Sequence, residues 1–419
     1  MSDNPAPSSG TRQRLDHIDA MRPIKQAAVI STHSIIFLAP VTAGLARVNL
    51  LIFTHFSREA FLFVSSCMLA YSFQGIDTVN LRHYWRRRLL AVGLPYLTWT
   101  LIYFVWVSLL TESQFPYYHF SGENILSAAG VHQLVHFTLT GYYHLYYLLV
   151  LLEFYVVFPW VLRGVRRLKN RHGTLIVAAL AWQIINSMFW PDIFSPAVHL
   201  HLVNASSQAF WETRLITSYA LYLVAGIVVA MHLNDVHDWI CSHGYLILSV
   251  TLVSGAGAVA LNYWHGTGFL HRVLVPGVNP FGVTVIPYNV GAILCVYLFG
   301  VFLVSPRRSL RTRAVVKSGS DNSYGIYLSQ LIWIPLLGRL IAVTHPHVPW
   351  PYVTFTAVAL AYMMGFLFTA LAARTPVARA LTGRGQETWR SLVPRRGRFA
   401  TSATTETLDD GPLDLTVPD

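Results

Sequence analysis

The chain has 419 residues, of which 54% are hydrophobic and only 12% charged, with a formal net charge of +11. A soluble protein of this length carries roughly a quarter charged residues and divides into two or three domains. Recurrent apolar runs of roughly 18 or more residues exclude that class and predict an all-α, polytopic membrane helix bundle forming one unit. Three widely separated cysteines, Cys67, Cys241 and Cys295, with no CxxC pair and no Cys/His ligand spacing, predict neither a disulfide framework nor a zinc site, and no metal is expected.

In chain order, residues 1–13 are rich in Ser, Pro and Gly and predict disorder, with no feature of a cleavable signal peptide. About ten spans follow, at 23–45, 50–73, 89–110, 143–162, 173–190, 214–232, 244–264, 284–305, 322–343 and 351–373. Segment 125–140 is moderately apolar and predicts a short re-entrant or interfacial piece. The membrane domain is expected over 14–375. Residues 376–419 turn basic and then acidic ("TETLDDGPLDL") and predict a mostly disordered tail. No internal or inverted repeat is visible.

The distribution of Lys and Arg sets the orientation. Linker 74–88 holds Arg82, Arg86, Arg87 and Arg88; linker 163–172 holds Arg163, Arg166, Arg167, Lys169 and Arg171; linker 306–321 holds Arg307, Arg308, Arg311, Arg313 and Lys317. Seven arginines follow residue 373. On the other side stand only Arg47 and Arg272, with none in 111–142, 191–213 or 344–350. The bias predicts both termini in the cytoplasm, and basic clusters that serve topology and anionic lipid rather than nucleic acid.

Ionisable groups inside spans are costly and therefore point to function or to pairing. Arg22 and His33 are eleven residues apart, about 20° past three full turns, so they share a face of one helix with about 16 Å between them along the axis. This puts Arg22 at the cytoplasmic interface and His33 about halfway through the bilayer. Interface anchoring of Arg22, and a neutral His33 satisfied by a neighbouring helix, stand as alternatives. Lys25 reads as a second interface anchor. In "THFSREAFLFVSS", His55 and Glu59 share a face, so Glu59 is placed to orient the imidazole; Arg58 adjoins it, and a structural ion pair is the other reading. In "GYYHLYYLLVLLEFYVVFPW", His144 lies among aromatics that read first as an interfacial belt and second as a sugar-stacking platform. Glu153 lies deeper, expected to pair with an arginine or to be protonated. In "DNSYGIYLSQLIWIPLLGRL", Asp321 or Asn322 is placed to cap span nine, and Tyr324 and Gln330 put polar groups inside it.

Five segments in order resemble the acyltransferase-3 family of bacterial integral-membrane acyltransferases. "RLDHIDAMRPIKQAAVISTH" is similar to the family opening, an Arg, ten residues, then His. "REAFLFVSS" resembles the second-span motif of an acidic residue, two aromatics and Ser-Gly. "YWRRRLLAVGLPYL" resembles the basic-aromatic approach to span three, "HLYYLLVLLEFYVVFPWVL" resembles span four, and "SYGIYLSQ" the late Ser-Tyr-x-x-Tyr-Leu motif. Leu62 replaces an aromatic, Ser66 a Gly, and Gln330 stands where a His often follows Tyr-Leu, which makes the chain a divergent member.

The resemblance implies transfer of an acyl group, acetyl or another short acyl, from cytoplasmic acyl-CoA to a hydroxyl of a cell-envelope carbohydrate or glycolipid in a bacterial inner membrane. It makes His33 and Arg22 the catalytic pair, with His33 as general base or transient acyl acceptor. Glu59 takes the acidic position, and Arg86, Arg87 and Arg88 lie near the donor, acetyl-CoA first. Substrate contacts are expected at His55, Arg58, His144, Glu153, Tyr324 and Gln330. The competing reading is a transporter or exporter of polysaccharide or a lipid-linked solute, with the same intramembrane groups lining its path.

Overall fold

The computed structural model describes residues 14–76, 80–109, 127–200, 208–277, 281–344 and 347–386; the disorder expected for 1–13 and beyond 386 lies outside the described residues. Among these the secondary structure is helical throughout. In chain order it runs α1 (Asp16–Leu38), α2 (Gly44–Ser72), α3 (Leu81–Arg88), α4 (Leu94–Leu109), α5 (Ala128–Thr140), α6 (Tyr146–Arg167), α7 (His172–His199) and α8 (Gln208–Glu212). There follow α9 (Ala220–Met231), α10 (Leu233–Ser242), α11 (Gly244–Leu261), α12 (Gly268–Leu274), α13 (Ile286–Val304), α14 (Leu310–Thr344), α15 (Trp350–Ala372) and α16 (Ala378–Thr382).

Among the described residues, seven helices are long and apolar enough to cross a membrane, or up to nine if each of two bent pairs is one span. The bent pairs are Asp16–Leu38 with Val41–Ser72, at 108°, and Ile216–Met231 with Leu233–Ser242, at 104°. The helix α1 does not qualify alone because it carries Asp16, Asp19, Arg22, Lys25 and His33. Those groups are tolerated because α1 is enclosed, packing against α2, α13, α14 and α15.

The helices approach closely where a small residue removes a side chain. On α9, Gly226 lies so near α2 that a Cβ there would stand 2.0 Å from the Ser66 hydroxyl. Ser66 thus fills a fully buried contact between two helices. At the end of the bundle that carries the basic linkers, Arg166 of α6 donates to the Phe73 and Ile76 carbonyls that close α2, so one linker arginine has a structural task.

Several element boundaries shift from the sequence expectation. The first span starts seven residues earlier, at Asp16, and stops at Leu38, because Pro40 cannot continue it. His33 therefore lies in the last two turns of α1 rather than at its middle. Span five extends to His199 through Pro191 and Pro196, at the cost of a kink at Phe189 (φ −116°, ψ 18°). Span nine is part of α14, which begins at Leu310 with the Ser309 hydroxyl accepting from the Thr312 N–H. Asp321 and Asn322 are interior to that helix and do not cap it: Asp321 pairs with Arg14 at 3.3 Å, and Asn322 donates to the Ser318 carbonyl. Segment 125–140 yields α5, 13 residues and about 20 Å long, too short to cross about 30 Å of hydrocarbon. Past residue 375 the fold continues: α16 docks on α4, where Trp99 Nε1 donates to the Leu381 carbonyl at 3.0 Å.

Candidate active site

A cavity of about 320 Å³ opens inside the bundle, toward the end opposite the basic linkers, and His33 lies in its wall. From α1 come Val29, Thr32, His33 and Ile36; from α2, His55, Ser57, Arg58 and Phe61. The segment leading into α6 supplies Tyr143, His144, Tyr146 and Tyr147. Tyr327 of α14 closes one side, and Phe210 and Arg214 line another. Three histidines distant in sequence thereby share one space. The His33 and His144 rings are 5.7 Å apart, and His33 lies 5.5 Å from Tyr143.

The turn between α5 and α6 explains how His144 reaches this interior. Gly141 ends α5 with φ +76°, and a Cβ on it would stand 2.3 Å from the Tyr146 Cα. Only glycine permits that approach. Tyr143 follows with φ 43°, a conformation that costs a non-glycine residue energy and survives when its surroundings hold it. The short 3₁₀ turn Tyr143–Leu145 then drops His144 to 2% exposure. Tyr327 donates its hydroxyl to the His144 carbonyl, and the Tyr103 and Tyr327 rings pack on the imidazole at 5.3 and 5.1 Å. His144 is thus a cavity residue, not part of an interfacial belt.

The cavity is rich in polar atoms that lack a partner. His33 Nδ1, both ring nitrogens of His144, and Arg58 Nε and Nη2 are sealed from solvent without a hydrogen bond. Buried polar groups are nearly always satisfied, so such a concentration marks a place where a ligand completes the bonding. The Gln330 amide lies beside the His33 imidazole, fully buried and itself without a geometrically sound hydrogen bond. Among the described residues no three His, Cys, Asp or Glu side chains are grouped to hold a metal ion.

Other predicted residues fall elsewhere. Glu59 is 1% exposed and does not line the cavity; it faces Arg58 at 3.6 Å and borders Tyr222 of α9. Glu153 pairs with no arginine among the contacts of the described residues; its Oε2 accepts the Ile216 N–H at 3.0 Å and caps the turn leading into α9. Arg22 lies at the basic end, outside the cavity, with Asp19 at 3.3 Å. Arg86 and Arg87 are exposed on α3, while Arg88 turns inward to Tyr155 at 5.7 Å, and Arg22 also lies near that tyrosine. Tyr324 is half-buried against Gly383 at the same end. Lys25 is not an interface anchor: it is 3% exposed, its ammonium 3.3 Å above the Phe61 ring, which lies in the cavity wall.

A family model described as an acyltransferase domain, of the acyltransferase-3 type, matches residues 15–373. The chain belongs to the acyltransferase-3 family. No curated protein matches it, and no solved structure does. Membership makes it a membrane acyltransferase, and the fold sets Arg22 and His33 at two separate places. Sequence reading missed Arg214, Phe210, Phe61 and Tyr147 as cavity residues. For Arg214 a signal existed, an arginine abutting the apolar run that becomes α9.

Proposed function

We propose that the chain is a membrane O-acyltransferase that moves a short acyl group from cytoplasmic acyl-CoA to a hydroxyl of a cell-envelope carbohydrate or glycolipid. The observation that carries this reading is a buried cavity holding His33, with an unpartnered ring nitrogen, among His55, His144 and several aromatic rings. The acceptor hydroxyl attacks the thioester carbonyl carbon, and His33 takes its proton. The C–O bond forms, the C–S bond breaks, and the proton passes to the departing thiolate. The Gln330 amide lies beside the imidazole, placed to orient it once a ligand is bound. In the same cavity wall the Phe61 ring packs edge to face on Tyr147 and tilted on Tyr327, and these rings offer a sugar an apolar face.

The donor arrives at the basic end, where Arg22 and Arg88 converge on Tyr155 and can meet its phosphates. Lys25 and Phe61 lie between that mouth and the cavity. In this reading both termini are cytoplasmic, and α1 and α2 count as separate spans of about ten. The protein is bacterial and sits in the inner membrane. The test is His33→Ala in purified, lipid-embedded protein. Acyl transfer to an envelope glycan falls by about 10²–10⁴-fold, the share a general base supplies, while expression and helix content are kept. Transfer retained within threefold overturns the assignment.

A further inference from the structure

Beyond His55 lies a second, smaller space of about 90 Å³. Val48, Leu51 and Ile52 of α2 line it, with Asn289 of α13 and Val285 of the turn before that helix. None of the described residues in its wall is an acid, a lysine or an arginine. The one amide there, Asn289, lies against the Tyr222 hydroxyl, so the remaining wall is essentially apolar. His55 belongs to the walls of both spaces. On α2, positions 48, 51, 52, 55 and 58 follow the steps of three and four that make one helix face. The small pocket therefore continues the main cavity along a single stripe of α2, and Val48 lies about 10 Å beyond His55. Because α2 ends where Arg166 meets its closing carbonyls, this continuation runs away from the basic end.

The sizes of the two spaces divide the substrates between them. An apolar cavity of about 150 Å³ takes one benzene ring, or about 25 Å³ for each heavy atom. On that scale the main cavity, about 320 Å³, takes roughly a dozen heavy atoms, the size of one hexose. The small pocket takes about three or four. A sugar acceptor beside His33 thus leaves little room in the main cavity for more than the carbonyl of the acyl group. A donor entering from the basic end has its acyl group leading, so the chain beyond the carbonyl points along α2 toward the small pocket. We propose that this pocket receives the acyl chain, and that the group transferred is an uncharged propionyl or butyryl rather than acetyl. An acetyl group leaves the pocket empty, a hexanoyl chain overfills it, and a succinyl carboxylate finds no cation in its wall. Leu51, Ile52 and Val285 then set the chain length, and His55 packs against the first carbons of the chain. This rests on the reading of acyl-CoA as the donor.

The test measures equilibrium binding to full-length protein in lipid nanodiscs. The probes are coenzyme A and its acetyl, butyryl, hexanoyl and succinyl thioesters. Each methylene buried in an apolar site contributes about fourfold, so butyryl-CoA binds about tenfold or more tighter than acetyl-CoA. Hexanoyl-CoA and succinyl-CoA bind at least about fivefold more weakly than butyryl-CoA. Leu51→Phe fills the pocket and erases the advantage of butyryl-CoA over acetyl-CoA. Val285→Ala removes both methyl groups from the wall and moves the optimum toward hexanoyl-CoA. These shifts are opposite, which a general loss of folding does not produce, and free coenzyme A binds within about threefold of wild type in both variants. Affinity that rises with every added carbon, or one chain-length profile in wild type and both variants, overturns the proposal. So does tighter binding of butyl glucoside than of methyl glucoside that Leu51→Phe removes, which would give the pocket to the acceptor. Failure of the donor reading looks different: wild-type protein then binds no coenzyme A in any form, and reading and proposal fall together. Coenzyme A that binds without a chain-length optimum sinks the proposal alone.

Discussion

The two ends of the bundle treat their charges in opposite ways. At the basic end almost every charge near α1 has a counterpart: Arg14 meets Asp19 at 2.7 Å and Asp321 at 3.3 Å, Arg22 meets Asp19, and Arg384 donates to the Asp321 carbonyl. These pairs are partly exposed and tie the N-terminal segment, α14 and the segment after α16 together. In the cavity the polar atoms are buried and wait: His33 Nδ1, both His144 nitrogens and Arg58 Nε have no hydrogen-bond partner, and only Arg58 Nη2 has a counter-charge, Glu59 at 3.6 Å. Satisfied groups hold helices; unsatisfied ones cost stability and persist where binding requires them. The difference also separates Arg22, in the paired region, from His33, in the unpaired one.

The largest test of that contrast uses two glycines. Both have positive φ, Gly141 beside the cavity and Gly75 at the basic end, but a Cβ on Gly75 meets open space whereas one on Gly141 meets Tyr146 backbone. Gly75→Ala bears the left-handed cost alone, about 1–2 kcal/mol, and leaves turnover within threefold. Gly141→Ala adds a collision that must displace the Tyr143–Leu145 turn and with it His144. Stability falls by about 3 kcal/mol and acyl transfer by about 100-fold. The readouts are melting temperature and single-turnover acyl transfer; equal losses in the two variants would dissolve the distinction.

Next in size is the pH response of Glu212, in the short α8 outside the spans. Burial pushes its carboxyl up to about 7, with Arg58 pulling the other way. A raised acid is favourable to the fold below its unfolded value near 4.5, and that stability is lost as pH rises through about 7. The change amounts to at most about 3 kcal/mol. Glu212→Gln removes it, so the melting temperature of the variant relative to wild type should climb between pH 4.5 and 7 and level off above. A constant offset across that interval would mean that Glu212 is ionised in the fold throughout.

Much of this was legible from the residues. Apolar period and length announce a helical membrane bundle, and helix geometry put Arg22 and His33 on one face of α1. The family motifs named the histidine around which the cavity forms. What stayed hidden depends on contacts between segments far apart in the chain. His144 sits in an aromatic cluster whose composition fits an interface belt equally well, and only the Gly141 turn sends it inward. Lys25 looks like an anchor until the packing of α2 brings Phe61 beneath it. Glu59 and His55 share a helical face by spacing, yet only His55 lines the cavity, while Glu59 faces Arg58 at 3.6 Å. Boundaries moved for similar reasons, because α14 continues through a basic stretch that hydropathy alone treats as linker.

The smallest effects should come from the paired end, and their split distinguishes Arg22 from its neighbours. Arg14 is 37% exposed and its partner Asp321 29%; ion pairs this open contribute under about 1 kcal/mol. Arg14→Ala should therefore leave the KM for acyl-CoA and the turnover number within twofold. Arg22 is about as exposed, at 34%, and pairs with Asp19 alone at 3.3 Å, whereas Arg14 also meets Asp19 at 2.7 Å, so on stability grounds alone Arg22 has less to lose than Arg14. If Arg22 also meets the donor, with Arg88 and Tyr155 beside it, Arg22→Ala should raise the KM for acyl-CoA about tenfold, near 1.4 kcal/mol of binding. Turnover at saturating donor would fall far less than in His33→Ala. Matching kinetics for Arg14→Ala and Arg22→Ala would reduce Arg22 to one more strut of the basic end and leave the chemistry to the cavity.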